Sequence, residues 1–156
     1  MKRCIITGRS NPELGDRIAS ALRETVVEPT VEVFPEGEIY LRIDADVNGS
    51  DVFVTQRTGP PVAENLMELL LLGDACHRAG AARLTAIVSY LGYARQDRPA
   101  KNGEAVGARL VADMIASRYQ QSLTVDLHNP AIERFHHQHK SPDRCAAACL
   151  PKLCIQ

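Results

Sequence analysis

The sequence lacks a hydrophobic run long enough to cross a membrane. Its most apolar stretch, residues 66–72, is interrupted by Glu68 and falls well short of the roughly 20 residues that a spanning helix needs. Residues 1–10 contain only a brief apolar stretch before Thr7, which is too short for the hydrophobic region of a secretory signal. We therefore expect a cytoplasmic protein with no membrane partner.

An excess of charge of either sign is also missing, because the formal net charge is -1 at pH 7. Such a chain offers no broad basic field to a nucleic-acid backbone, so nucleic acid is not an expected partner.

The five cysteines are odd in number, and three of them, Cys145, Cys149 and Cys154, lie in the last stretch of the sequence. This distribution does not suit a disulfide framework. Hydrophobic residues at 45% and charged residues at 24% indicate an ordinary globular domain.

Strand-like and helix-like patterns alternate along most of the chain. The predicted strands cover residues 3–7, 51–56, 84–89 and 123–127. The predicted helices begin after the N-cap Asn11, at Val62 with an end at Gly80, and at about Ala105. On the last helix, the positions predicted to point inward are Leu110, Val111, Met114 and Ile115. This alternation predicts an α/β fold with a parallel sheet, flanking helices and right-handed crossovers.

Two segments depart from that alternation. Residues 31–34 and 39–43 read as short strands around Pro35 and Gly37, so we predict a β-hairpin there. After about residue 135 the periodicity fails. We expect residues 1–135 to form one domain and residues 136–156 to be an irregular, poorly ordered tail, or at most one short helix near residues 144–150.

Polar side chains gather in the loops after two of the predicted strands. Residues 90–98 include Arg95, and residues 126–129 include His128. The carboxyl ends of parallel strands share one edge of the sheet, so Arg95 and His128 are expected to face a common ligand. Each of these residues, taken singly, also has a simpler explanation than ligand binding. His128 could be a structural histidine, Arg95 and Asp97 could form a surface ion pair, and the acids of the hairpin could be solvated charges.

The ordered series of motifs resembles the amino-terminal half of ribose-phosphate diphosphokinase, also called phosphoribosyl pyrophosphate synthetase. The resemblance covers nearly all of residues 3–135 and is most specific at Tyr-Ala-Arg-Gln-Asp (residues 93–97) and Asp-Leu-His (residues 126–128). It implies a phosphoribosyltransferase-like fold. It also implies the transfer of diphosphate from MgATP to ribose 5-phosphate, giving AMP and phosphoribosyl diphosphate for nucleotide biosynthesis.

The resemblance also assigns the ATP-binding residues. It implies that Arg95 stacks on adenine, that Gln96 contacts ATP and that Asp97 shapes the loop. His128 would lie near Mg²⁺ and the ATP phosphates. The resemblance also implies that the hairpin reaches into the ATP site of a neighbouring subunit in a homo-oligomer. There Phe34 would cover the base, while Glu36 and Glu38 would accept hydrogen bonds from its amino group. Glu36 stands where many relatives have Asp.

The family's second half has no counterpart in the sequence. Its catalytic Lys and Arg, an Mg²⁺-binding Asp and the sugar-phosphate loop are missing, so no catalytic residue is identified here, and we expect a truncated or frame-shifted chain that is inactive alone. The alternatives are a non-catalytic regulatory or binding subunit that assembles with full-length relatives, and a phosphoribosyltransferase, for which the acidic diphosphate-binding loop is missing. The His and Cys residues after position 135 match no common zinc spacing.

Overall fold

The computed structural model describes residues 2–125, 127, 129, 132 and 146–149, and these form an α/β domain around a parallel sheet. Six strands lie in the order β2-β1-β5-β6-β7-β8, all parallel, and a separate antiparallel hairpin consists of β3 and β4. In chain order the elements are β1 (Arg3–Thr7), α1 (Pro12–Leu22), β2 (Val26–Val27), β3 (Thr30–Val33), β4 (Ile39–Arg42), β5 (Asp51–Thr55), α2 (Val62–Arg78), β6 (Arg83–Val88), α3 (Gly107–Ala116), β7 (Gln121–Thr124) and β8 (Ala146–Cys149).

The central strands are apolar because helices cover the sheet. Ile5 and Ile6 are both completely buried, although neighbouring residues of a strand point to opposite faces. The main core cluster joins strand residues such as Val54 and Leu84 to Leu69 of α2 and to Tyr119, which follows α3. The parallel α/β architecture predicted from the sequence is therefore confirmed.

Tyr119 ties the end of α3 to α2. Its hydroxyl donates a hydrogen bond to the backbone oxygen of Leu69 at 2.6 Å, and burial raises the pKa of the phenol well above its usual value. The ring lies so close to α2 that a Cβ at Gly73 would meet it at 2.8 Å. Glycine is therefore required inside this helix despite its low helix propensity.

Nearby, burial raises the pKa of the Cys76 thiol to about 12, so this thiol stays protonated and unreactive at neutral pH.

The predicted helix boundaries agree with the structure to within about two residues. The Asn11 side chain accepts a hydrogen bond from the backbone N–H of Leu14 at 3.3 Å, as expected of an N-cap. Gly80 follows α2 with a φ of 85°, a conformation that suits glycine. None of the helices within the described ranges combines the length and the apolar character needed to span a bilayer.

Three details differ from the sequence predictions. The two-residue strand β2 was not predicted. Residues 146–149 form β8 along β7, so the prediction of at most one short helix there is wrong. Backbone pairing at the edge of a sheet outweighs the helix propensity of alanine.

Leu110, predicted to point inward, is 60% exposed, because α3 buries the face that carries Ala108, Val111 and Ile115.

Candidate functional site

The loops that follow β1, β5 and β6 meet at the carboxyl edge of the sheet. Backbone hydrogen bonds join them, from Gly8 N–H to Thr55 O at 2.8 Å and from Gln56 N–H to Ile87 O at 3.1 Å. In open parallel sheets this edge is where ligands bind. The polar residues that the sequence places after these strands are therefore brought to one side of the domain.

The loop after β6 borders an open cleft of about 470 Å³, which is within the usual size range of small-molecule sites. The cleft is lined by Ser89, Tyr90, Leu91, Tyr93, Ala94, Arg95 and Gln96. Arg95 and Gln96 are exposed, as are the two tyrosines. Within the part of the chain that the structure describes, Arg95 has no acidic partner. Its guanidinium is therefore available to an anionic or aromatic ligand.

The loops after β6 and β7 are in direct contact. The side-chain amide of Asn129 donates a hydrogen bond to the Asp97 carboxylate at 2.6 Å. Asp97 thus joins the two loops, and the alternative of a surface ion pair between Arg95 and Asp97 is wrong. His128 lies outside the described residues, so its predicted position opposite Arg95 stays a prediction.

The hairpin presents its tip to the exterior. A tight turn forms it, with hydrogen bonds from Gly37 N–H to Phe34 O at 2.8 Å and from Phe34 N–H to Glu38 O at 2.9 Å. Gly37 has a φ of 89°, which explains glycine at this position. Phe34, Glu36 and Glu38 are all exposed, whereas Leu41 at the base packs against the core. The three predicted tip residues are therefore exposed on a hairpin whose base is anchored in the core.

A buried polar network beneath the edge was not found from the sequence. Glu68 of α2 accepts hydrogen bonds from the backbone N–H of Arg9 at 2.8 Å and from its guanidinium at 2.9 Å. Gln56 accepts from the Ser10 hydroxyl at 2.6 Å and donates to the Asn65 backbone at 3.3 Å. Glu68 interrupts an otherwise apolar run in the sequence, and this was the one signal that could have revealed its role.

A second missed feature is the packing of Arg57 over the ring of Tyr90, with its guanidinium carbon 5.5 Å from the ring centroid. A cation–π contact of this kind holds an aromatic side chain in place at the cleft. In the sequence, Tyr90 is only the first residue of the polar loop 90–98. The partner of its ring, Arg57, comes from the loop after β5 and is therefore not visible in any local pattern.

The protein is an α/β domain with a parallel sheet and an open cleft at the carboxyl edge, the place where ligands bind in open parallel sheets. A family model described as the N-terminal domain of ribose phosphate pyrophosphokinase matches residues 3–118. The chain belongs to the ribose-phosphate pyrophosphokinase family. Its resemblance to that family, noted from the sequence motifs, is thereby confirmed.

Curated relatives and a solved structure agree with this membership. The chain is 47% identical over 132 residues to a ribose-phosphate pyrophosphokinase of Caldanaerobacter subterraneus and 46% identical over 132 residues to that of Clostridium perfringens. These alignments cover 84% of this chain but 42% and 41% of the relatives. The crystal structure of phosphoribosylpyrophosphate synthetase from Mycobacterium smegmatis superimposes with a TM-score of 0.85 at 35% identity, covering 96% of this chain and 49% of that one. The chain thus spans less than half the length of these relatives.

Proposed function

We propose that this chain carries part of the MgATP site of a ribose-phosphate pyrophosphokinase, the enzyme that transfers diphosphate from MgATP to ribose 5-phosphate. The observation that carries the proposal is the open cleft lined by Arg95 and Gln96, two exposed residues at the carboxyl edge of the sheet. Because the chain spans less than half of its relatives, we propose that turnover requires groups that this sequence does not contain.

The chemistry of the site suits a nucleotide. Transfer of a phosphorus group asks the protein mainly for positioning and charge neutralisation, so no protein nucleophile is needed. The guanidinium of Arg95 supplies a flat cation for stacking on adenine or for hydrogen bonds to phosphate. The described residues contain no group of three His, Cys, Asp or Glu side chains placed to hold a metal. This suits Mg²⁺ that arrives on the ATP phosphates, with His128 as the proposed nearby residue.

The hairpin tip supports a site shared between subunits. Phe34, Glu36 and Glu38 are exposed together, which suits a role in covering a base held by another chain. We propose a homo-oligomer, or association with full-length relatives, in which Phe34 faces the adenine and the two acids accept its amino hydrogens. The cytoplasmic location and the domain boundary at residue 135 stay predictions.

The substitution Arg95→Ala should weaken MgATP binding by about tenfold, equivalent to about 1.4 kcal/mol. Loss of one charge-assisted or stacking contact has this size. Isothermal titration of the chain with ATP, with and without Mg²⁺, measures the dissociation constant. The matched control is Arg17→Ala, which removes the same charge from the exposed surface of α1 and should leave binding unchanged. Equal affinities for Arg95→Ala and the unsubstituted chain would contradict the proposed role.

Mixing two defective variants tests the shared site. Arg95→Ala and Phe34→Ala should each bind MgATP weakly. In an equimolar mixture that forms a symmetric assembly, subunits pair at random. About a quarter of the sites should then combine an intact Arg95 with an intact Phe34 from a neighbour. Titration of the mixture should therefore reveal a minor class of tight sites. A mixture that behaves as the average of its two components would show that the hairpin does not complete a neighbouring site.

The alternative of a non-catalytic regulatory or binding subunit is not favoured. The family model and the curated relatives reported above are all pyrophosphokinases. No contact in the described residues points to a different activity. The enzyme family therefore remains the better account of this chain.

A further inference from the structure

The hydroxyl of Thr58 fastens the loop after β5 to the loop after β6. It donates a hydrogen bond to the backbone oxygen of Tyr90 at 2.8 Å and accepts one from the N–H of Gly92 at 2.8 Å. The backbone N–H of Thr58 also donates to Tyr90 O at 3.0 Å. Thr58 is 0% exposed, so water does not compete for these bonds. Three hydrogen bonds thus fix the start of the cleft loop.

The two loops also approach each other closely at Gly92. A Cβ on this residue would lie 2.6 Å from the backbone oxygen of Thr58 and 2.6 Å from a methyl carbon of Val62. Neither atom is the end of a long flexible side chain, so any side chain at Gly92 would push the loops apart. The absence of a side chain at Gly92 therefore allows the two loops to lie as close together as the Thr58 hydrogen bonds require.

The other end of the loop is held by α3. The N–H of Gln96 donates to Tyr93 O at 2.9 Å and closes a turn, and the N–H of Ala108 in the first turn of α3 donates to Gln96 O at 3.0 Å. Tyr93 has a φ of 62°, a left-handed conformation that non-glycine residues rarely adopt. Arg95 lies between the two fixed points, so its position depends on both.

We propose that Thr58 is a positioning residue for Arg95, acting through the backbone of residues 90–92. For its effect on nucleotide binding this proposal rests on the proposed function. A loop that is ordered before binding loses less conformational entropy when the ligand arrives. A hydroxyl can donate and accept at the same time, whereas a valine of the same shape can do neither. Serine keeps both abilities.

The test compares Thr58→Val, Thr58→Ser and the control Ser50→Ala in the 156-residue chain. Ser50 is buried too, but its hydroxyl has no hydrogen-bond partner among the described residues. Hydrogen exchange of the Gly92 amide reports the bond itself, and titration with MgATP reports its consequence. We expect Thr58→Val to raise the exchange rate and the dissociation constant each about tenfold, since a buried donor loses its acceptor. Thr58→Ser and Ser50→Ala should stay within about twofold of the unsubstituted chain on the same scale.

The two readouts separate this proposal from the proposed function. Equal MgATP binding by Arg95→Ala and the unsubstituted chain would refute the nucleotide role of the loop, while Gly92 exchange would still decide whether Thr58 orders it. Unchanged exchange in Thr58→Val, or an equal loss of affinity in Thr58→Ser, would overturn the role of the hydroxyl. If Thr58→Val does not fold, Thr58→Cys takes its place, because a thiol donates and accepts weakly. Faster Gly92 exchange in Thr58→Cys would support the proposal, and unchanged exchange would overturn it.

Discussion

Replacement of Gly8 by alanine should lower the free energy of unfolding by about 3 kcal/mol. The added Cβ would lie 2.1 Å from Oε1 of Gln56 and 2.7 Å from its Cδ. Gln56 is buried and cannot move aside without losing its hydrogen bonds to Ser10 and Asn65. Overpacking costs about 1–3 kcal/mol and each lost hydrogen bond about 1 kcal/mol. Urea unfolding followed by circular dichroism measures the difference.

A second glycine provides the comparison. Gly103→Ala places its Cβ in open space, so it should cost only the strain of a φ of 86°, about 1 kcal/mol. The double variant Gly8→Ala with Gln56→Ala isolates the clash, because the side chain that obstructs the Cβ is then missing. Its loss of stability should be clearly smaller than the sum of the two single losses. Strict additivity would show that Gln56 is not the obstacle.

The order of strands and helices was predictable because its signals are local. Apolar strands such as β1 and β6, the cap at Asn11 and the turn at Gly80 can each be recognised within a few residues. Strands β2 and β8 escaped prediction for the opposite reason. Two valines and a short run of alanine and cysteine carry no pattern of their own, and they become strands through pairing with β1 and β7.

The candidate site was predictable only where topology determines position. Placing two polar loops at one edge of a parallel sheet follows from the order of the strands, and the hydrogen bond between Asn129 and Asp97 agrees with that placement. Strand order does not locate the groups that hold the loops in place, which are Thr58, Gln56 and Glu68. Each bonds to a residue at least 32 positions away, and hydrogen bonds at that separation leave no periodicity in a sequence.

The ion pair between Arg9 and Glu68 should behave as a unit in a double-mutant cycle. Glu68 is only 1% exposed, whereas Arg9 is 43% exposed, so the carboxylate bears most of the desolvation cost. Arg9→Met leaves that carboxylate buried without its cation and should cost about 3 kcal/mol of stability. Glu68→Met should cost less, about 2 kcal/mol, because the guanidinium can turn towards water and Glu64.

The double variant Arg9→Met with Glu68→Met decides whether the pair stabilises the fold or only avoids an unpaired charge. With both charges replaced by apolar side chains, the total loss should be about 2 kcal/mol smaller than the sum of the single losses. Arg78→Met is the control, since its bond to Asp74 is largely exposed and its loss should change stability little. Additive losses at Arg9 and Glu68 would mean that the guanidinium does not act through Glu68 in holding the loop after β1 on α2. The backbone hydrogen bond from Arg9 to Glu68 would then have to do so alone.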